Sequence, residues 1–259
     1  MSFYKDNKVT FFYFAYITIA TIFFLESHTV QFPSKYTYTE WLINYEGGFI
    51  RRGLLGQAVY ELSNFFKINI INLILFFQIS AYLIYYFIFI YIFTKLKINF
   101  FWIIFIFSSI SFLYPLGELE SLGRKEIFVL LFFLIFSIIN FSNTKSLFIT
   151  FFIFFGISNL IHEITFFYIH YYLLIIYLKS KIHLKKIIHI NYYFLTFILV
   201  CSLIYLNIHI GKSASIDKIV DSYLKFNIII HSSMGAIGWL SKSFEWALIN
   251  TMSQISLIG

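Results

Sequence analysis

The sequence predicts an all-α, polytopic membrane helix bundle of about seven transmembrane helices, with a surface helix in the first outer loop. Hydrophobic residues form 60% of the 259 residues and charged residues only 12%, and the mean hydropathy is +0.82. This composition leaves too little polar surface to solvate a globular domain. The long apolar runs lack the alternating polar positions of barrel strands, so the membrane-crossing segments are predicted to be helices.

Seven apolar runs are candidate spans, because a helix needs ~20 apolar residues to cross ~30 Å of hydrocarbon. They lie at about 9–25, 69–94, 98–115, 127–141, 147–161, 164–178 and 188–209. Residues Phe244–Gly259 are apolar enough to begin an eighth span but end without a basic anchor. We therefore expect 1–259 to be a single transmembrane domain that is a truncated version of a longer protein.

The orientation follows from the lysines in the short loops, because cytoplasmic loops retain basic residues. If the N-terminus is cytoplasmic, Asp6 is the only acidic residue on the inner side. The inner lysines are Lys5, Lys8, Lys95, Lys97, Lys145, Lys179, Lys181, Lys185 and Lys186. The sequence thus predicts a multi-pass protein of the inner (cytoplasmic) membrane, with a lysine-rich inner face and a mixed-charge outer face.

Two outer segments are longer than simple connections: the loop at 26–68 and the tail at 210–259. Within the loop, an apolar stripe at helical spacing predicts an amphipathic helix at about 50–64 that lies along the membrane surface. The stripe consists of Leu54, Leu55, Ala58, Val59 and Leu62.

The net charge of +7 does not indicate nucleic-acid binding, because the basic residues form short clusters between spans, as membrane topology requires. The sole cysteine, Cys201, can form no internal disulfide. The expected chemistry needs no redox cofactor. A divalent metal is compatible with it, but no Cys/His spacing indicates a metal-ligand cluster.

The first of three charged strings on the predicted outer face runs from Glu46 to Gly53 and contains Arg51 and Arg52. Paired guanidiniums match phosphate oxygens, and Glu46 beside them is a candidate base. The alternative is structural: Glu46 pairs with an arginine while the glycines turn the chain into the surface helix.

The other two strings are Gly123-Arg124-Lys125-Glu126 and His162-Glu163. Arg124 and Lys125 stand at a helix N-terminus, which itself attracts anions, so they are candidate phosphate ligands, whereas Glu126 agrees with the helix dipole and is interpreted as structural. His162 and Glu163 interrupt an apolar stretch and are candidate catalytic residues. The alternative for Arg124 and Lys125 is a solvated loop that is paired internally through Glu118 and Glu120. The alternative for the last string is a short outer turn in which Glu163 caps the sixth span.

The order of first span, long outer loop with an acid, and surface helix resembles the opening of the GT-C membrane glycosyltransferases. The string Glu46-Gly47-Gly48-Phe49 with Arg51-Arg52-Gly53-Leu54 is similar to one in polytopic surface-polysaccharide proteins, including O-antigen-type polymerases. The resemblance covers the first ~95 residues in layout. It implies a base at Glu46 and a sugar donor carried on polyprenyl phosphate or diphosphate.

The leading hypothesis is an inner-membrane glycosyltransferase or polysaccharide polymerase that acts on polyprenyl-(di)phosphate-linked sugars at the extracytoplasmic face. In this hypothesis Arg51, Arg52, Arg124 and Lys125 bind the phosphate, while His162 or Glu163 orients the acceptor. The expected partners are the lipid bilayer, the polyprenyl-linked saccharide and other polysaccharide-assembly proteins. The alternatives are a transporter or flippase of a lipid-linked saccharide, and a membrane acyltransferase with His162 as base.

Overall fold

The computed structural model describes residues 7–31, 35–95, 121–183, 190–210, 214–240 and 242, and these residues form helices and connecting turns without a strand. The helices are α1 Asn7–Glu26, α2 Lys35–Trp41, α3 Gly53–Phe66, α4 Ile70–Lys95, α5 Glu126–Ile138, α6 Thr144–Ile161, α7 Thr165–Leu178, α8 Ile190–Ile210, α9 Ile216–Asp221 and α10 Gly235–Leu240. The all-helical class predicted from the sequence is confirmed for these residues.

Three helical segments are long and apolar enough to cross a membrane: Phe11–Gln31, Ile70–Ile92 and Thr144–Ile161. Shorter apolar helices occur at Glu126–Ile138 and Thr196–Tyr205. Helix α5 has 13 residues, which at 1.5 Å per residue falls short of the ~30 Å hydrocarbon core. A bundle of seven or eight spans is therefore not confirmed, and the predictions at 98–115 and Phe244–Gly259 lie outside the described residues.

The apolar helices pack into two adjoining cores. Helices α1 and α4 pack together with α5, and α5 also packs against α6 and α7, which in turn contact α8. Phe136 on α5 and Tyr172 on α7 are fully buried, with ring centroids 5.3 Å apart. Such aromatic pairs explain why these helices associate although their sequences show little amphipathic pattern.

A third core joins the segment 35–66 to the tail 214–240. Helix α3 occupies the place where the apolar stripe predicts a surface helix, and it buries Leu55 and Val59. Gly56 allows this close packing, because a side chain there would overlap the backbone carbonyl of Ile43. The tail contacts the loop directly, since the amide of Ala236 donates to Thr39 Oγ1 at 2.8 Å.

The charged turns and the lysines lie at opposite ends of the bundle. Helices α5 and α7 begin at the same end at which α6 terminates, so the turns at 121–125 and 162–164 lie together with the 35–52 segment. Lys95, Lys145, Lys179 and Lys181 stand at the other ends of α4, α6 and α7.

Candidate functional site: a charged cluster at one end of the bundle

Eight polar residues from three separate segments meet at the end of the bundle opposite the lysines. We name this group the charged cluster. Its members are Glu40, Arg51, Arg52, Arg124, Lys125, Glu126, His162 and Glu163. The contacts bring together residues from all three charged strings of the sequence, and they add Glu40 from α2.

Arg52 and Glu163 form the strongest pair in the charged cluster. Arg52 Nε donates to Glu163 Oε2 at 2.7 Å, and Arg52 NH2 donates to Glu163 Oε1 at 2.5 Å. This bidentate arrangement is the geometry in which guanidinium binds carboxylate best. Arg51 lies 3.6 Å from the same Oε1 atom. Burial alone would raise the pKa of Glu163, but the charge and hydrogen bonds of Arg52 hold it well below its usual range.

The backbone of Arg52 adopts a left-handed conformation with φ +64° immediately before α3. Residues other than glycine pay for this conformation, so surrounding contacts must impose it. Here the guanidinium is fixed by Glu163, and the carbonyl oxygen accepts a hydrogen bond from Lys125 Nζ at 2.8 Å. Lys125 is fully buried, and burial lowers its pKa to about 7.

Glu40 lies at the centre of the charged cluster and is fully buried. Its Oε1 accepts from Arg52 NH1 at 3.2 Å, and its Oε2 accepts from the backbone N–H of Lys125 at 3.3 Å. Burial would raise the pKa of Glu40, but His162, Arg52 and Arg124 together lower it to about 2. Glu40 is therefore a buried counterion that links all three segments.

Arg124 and Glu126 form a second ion pair, with Arg124 NH2 2.5 Å from Glu126 Oε1. The guanidinium carbon also lies 4.8 Å from the centre of the Tyr36 ring. Two atoms of this pair, Arg124 Nε and Glu126 Oε2, are buried and have no hydrogen bond. Burial and the nearby Glu40 carboxylate raise the pKa of Glu126, although His162 and Arg124 oppose the rise.

His162 lies where α6 ends, in extended backbone that stops the helix. Its Nδ1 accepts a hydrogen bond from the amide of Ile164 at 3.0 Å, so in the neutral ring the proton is on Nε2. Nε2 lies 3.3 Å from Glu40 Oε1 and 3.4 Å from Glu126 Oε1, but neither contact is aligned as a hydrogen bond. His162 thus points its N–H between two carboxylates.

The turn before α5 is held by a glycine that no other residue could replace without strain. Gly123 has φ +79°, and its carbonyl oxygen accepts from Trp41 Nε1 at 2.7 Å and from Gln78 Nε2 at 2.8 Å. A Cβ at Gly123 would lie 2.7 Å from Gln78 Nε2. This turn therefore fixes Arg124 and Lys125 against α2 and α4.

Glu46 lies apart from these residues. It is exposed, its Oε1 accepts from Gln57 Nε2 at 3.2 Å, and among the described residues it forms no ion pair with an arginine or lysine. The sequence prediction that joined Glu46 with Arg51 and Arg52 in one site does not match this arrangement. The reason is that the chain turns at Gly47 and Gly48 between them, where Gly47 contacts Ser215 of the tail.

The charged cluster contains four cationic side chains against three carboxylates, with His162 counted as neutral. Arg51 and Arg124 are the most accessible cations, with 26% and 28% of their side chains exposed. The most exposed carboxylates are those of Glu163 and Glu126, with 21% and 20% of their side chains exposed. Lys125, with a pKa of about 7, is only partly charged at neutral pH, so the excess of positive charge is less than one full charge. The accessible rim carries the guanidiniums of Arg51 and Arg124, and guanidinium is the group best suited to bind phosphate oxygens.

Three side chains of types that can bind a metal lie close together. The ligand atoms of Glu40, Glu126 and His162 are within 4.8 Å of one another. The donor set does not fit a cation well. Each carboxylate already holds a guanidinium, and a metal at His162 Nε2 would need the lone pair that the proton now occupies. We therefore derive no chemistry through a metal at this position.

The sequence yielded no prediction for Glu40 and predicted only a structural role for Glu126. Glu40 stands among threonines and aromatics in α2, with Lys35 five residues away, so no basic residue lies at helical spacing to pair with it. An isolated acid in an otherwise aromatic segment was the available signal that it has a distant partner.

No family model matches the chain, and the comparisons with curated proteins and with solved structures give no match either. The function must therefore be argued from the charged cluster itself.

Proposed function

We propose that this protein is an inner-membrane glycosyltransferase or polysaccharide polymerase that uses a sugar linked to polyprenyl phosphate or diphosphate. The charged cluster would bind the phosphate at the extracytoplasmic face, and the N-terminus would be cytoplasmic. The lipid bilayer and other polysaccharide-assembly proteins would be its partners.

The observation that carries the proposal is a pair of partly exposed guanidiniums, those of Arg51 and Arg124, in a cluster that stands at the ends of apolar helices. The buried carboxylates Glu40 and Glu163 hold Arg52 in place, while Arg51 and Arg124 keep part of their guanidinium groups exposed. A phosphate group on a lipid carrier matches both properties, because it is anionic and is presented at the membrane boundary.

In the proposed reaction, negative charge grows on the leaving phosphate as the bond to the sugar breaks. Guanidinium groups fixed before the reaction stabilise that charge without having to reorganise. Arg52 is the best fixed of the cations, since Glu163, Glu40 and the Tyr36 hydroxyl all contact it. Arg51 and Arg124 would contact the phosphate, and Lys125 would hold the Arg52 turn.

A transporter or flippase is less well supported by the placement of charge. A transport path requires polar or charged groups near the middle of the membrane. In α4 the only charged residue is Lys95 at its last position, and in α6 it is Lys145 at the second position. The charged groups of these two helices thus lie at their ends.

An acyltransferase with His162 as base is also less well supported. A base needs a free lone pair, but Nδ1 of His162 is occupied by the Ile164 amide and Nε2 carries the proton. His162 is better suited to orient a neighbouring group by donating its N–H.

The proposal can be tested with Arg51→Ala and Arg124→Ala, and with Lys218→Ala as the matched control. Lys218 is an exposed cation on α9 and makes no side-chain contact with the charged cluster. We expect the arginine variants to bind polyprenyl diphosphate about tenfold more weakly or worse, because each loses a charge-assisted hydrogen bond. The same variants should shorten the surface glycan in the native host, whereas Lys218→Ala should not.

The proposal fails if both arginine variants reach the membrane in normal amounts and leave phosphate binding and glycan length unchanged. A shortened glycan with accumulation of the lipid-linked intermediate on the inner leaflet would instead favour the flippase.

A further inference from the structure

His162 Nε2 lies between the carboxylates of Glu40 and Glu126 without an aligned hydrogen bond, and two further buried polar atoms of the charged cluster also lack one. These two are Arg124 Nε, which is a donor, and Glu126 Oε2, which is an acceptor. Unpaired polar atoms in a buried site are costly, and they indicate a place where a ligand completes the hydrogen bonds. The complementary ligand supplies one accepting oxygen and one donating hydroxyl.

The geometry points to Glu126 as the general base that takes the proton from the acceptor hydroxyl, and this inference rests on the proposed function. A phosphate oxygen of the donor would accept from Arg124 Nε, and the acceptor hydroxyl would donate to Glu126 Oε2. Because Arg124 and Glu126 are ion-paired at 2.5 Å, one salt bridge would hold the leaving group and the attacking group side by side.

In the other two carboxylates of the cluster, both oxygens already accept hydrogen bonds. Both oxygens of Glu163 accept from Arg52. In Glu40, one oxygen accepts from Arg52 and the other from the Lys125 amide, and the side chain is fully buried. Glu126 is the one carboxylate of the cluster with an unpaired oxygen, and although Oε2 itself is buried, 20% of the side chain is exposed.

The surroundings of Glu126 also make it a stronger base than an ordinary carboxylate. Burial and the Glu40 charge raise its pKa, although His162 and Arg124 oppose the rise. The titratable and charged groups that face Glu126 come from three helices, α2, α4 and α7, and from the turns at 124–125 and 162. They are Glu40, Tyr82, Arg124, Lys125, His162 and Tyr168.

The step balances without a further reactant. The acceptor oxygen forms a bond to the anomeric carbon, and the bond from that carbon to the phosphate oxygen breaks with its electron pair. The hydroxyl proton moves to Glu126 Oε2 and is later released to water. The departing phosphate carries the negative charge, which Arg51 and Arg124 stabilise. His162 Nε2 lies 3.4 Å from Glu126 Oε1, beside the carboxylate that takes the proton.

The inference is tested with Glu126→Gln and Glu126→Asp, and with Glu61→Gln as the matched control. Glu61 is an exposed carboxylate on α3 whose Oε1 accepts from Gln57. We expect Glu126→Gln to lower the rate of sugar transfer about 100-fold or more, which is the contribution of a general base. Binding of polyprenyl diphosphate should change less than about threefold, and Glu61→Gln should transfer at the normal rate.

Glu126→Asp keeps the carboxylate, so it serves if the glutamine variant does not accumulate. It should retain measurable transfer with a displaced acidic limb in the pH–rate profile, which a purely structural role would not move. Transfer at the normal rate by Glu126→Gln, with the arginine variants inactive, would overturn the assignment of the base while leaving the proposed function in place. If the arginine variants also transfer and bind normally, the proposed function itself is lost.

Discussion

The two ends of the bundle both carry basic residues but use them in different ways. At one end, Lys95, Lys145 and Lys181 are exposed and Lys179 donates to the carbonyl of Ile139 at 2.6 Å. None of these lysines pairs with a carboxylate among the described residues. At the other end, cations and carboxylates are buried together and fixed by short contacts.

The difference separates a topological role of charge from a chemical one. Exposed lysines at helix ends favour one membrane orientation and need no fixed geometry. Burying arginines with glutamates costs several kcal/mol of desolvation per ion, which is recovered only with good geometry. Membrane orientation alone therefore does not explain the buried ion-pair network at this end.

The two ends should differ most in how much stability the protein loses when a cation is removed. Arg52→Ala leaves Glu40 and Glu163 buried without their main partner, so the free energy of unfolding should fall by about 3–5 kcal/mol. Lys181→Ala at the other end should change it by less than about 0.5 kcal/mol, since this side chain is exposed. Thermal unfolding of the purified protein in detergent measures both.

Equal effects of the two substitutions would remove the distinction between the ends. Arg52→Lys sharpens the comparison, because lysine keeps the charge but cannot form the bidentate contact, and we expect an intermediate loss.

The second contrast concerns pH. The pKa of Glu40 is lowered to about 2, and that of Glu163 is lowered as well, so both contribute stability above the unfolded-state pKa of about 4.3. That stability should be lost as the pH falls from about 5 towards 2. Glu126 acts in the opposite direction, because its raised pKa favours the fold when it becomes protonated.

Lys125, whose pKa is lowered to about 7, destabilises the fold as it becomes protonated and so opposes Glu126. We therefore expect the melting temperature to change little as the pH falls from neutral to about 5, and then to drop steeply. A Glu40→Gln variant should be less stable at neutral pH and should show a weaker drop. A melting temperature that does not vary between pH 7 and 3 would contradict the buried ion-pair network.

The smallest expected effect concerns two glycines, one in the turn at the charged end and the other in the middle of a helix. Gly123→Ala places a Cβ at positive φ and against Gln78, and it should cost about 1–3 kcal/mol. Gly156→Ala meets nothing within 4 Å in the middle of α6, so it should be neutral or stabilise by about 0.5–1 kcal/mol. Melting temperatures of the two variants give the sign of each effect, and a tolerated Gly123→Ala would show that the turn at 121–125 is not held as described.

Most of the local structure was predictable from the sequence, because hydropathy and helical spacing are local properties. The runs at 69–94 and 147–161 predicted helices that the structure places at Ile70–Lys95 and Thr144–Ile161. Hydropathy did not determine how many helices cross the membrane. An apolar run such as Glu126–Ile138 indicates burial but does not show whether the helix crosses the bilayer.

The sequence by itself determined that the scarce charges gather in a few strings, because a chain that is 60% hydrophobic has few places for them. Only the tertiary structure decided which of these charges meet. It brought Glu40 to Arg52 and His162 across the bundle and left Glu46 beside Gln57 on α3. The physical reason is that ion pairing depends on distances of a few Å between side chains far apart in the chain, and hydropathy does not encode such distances.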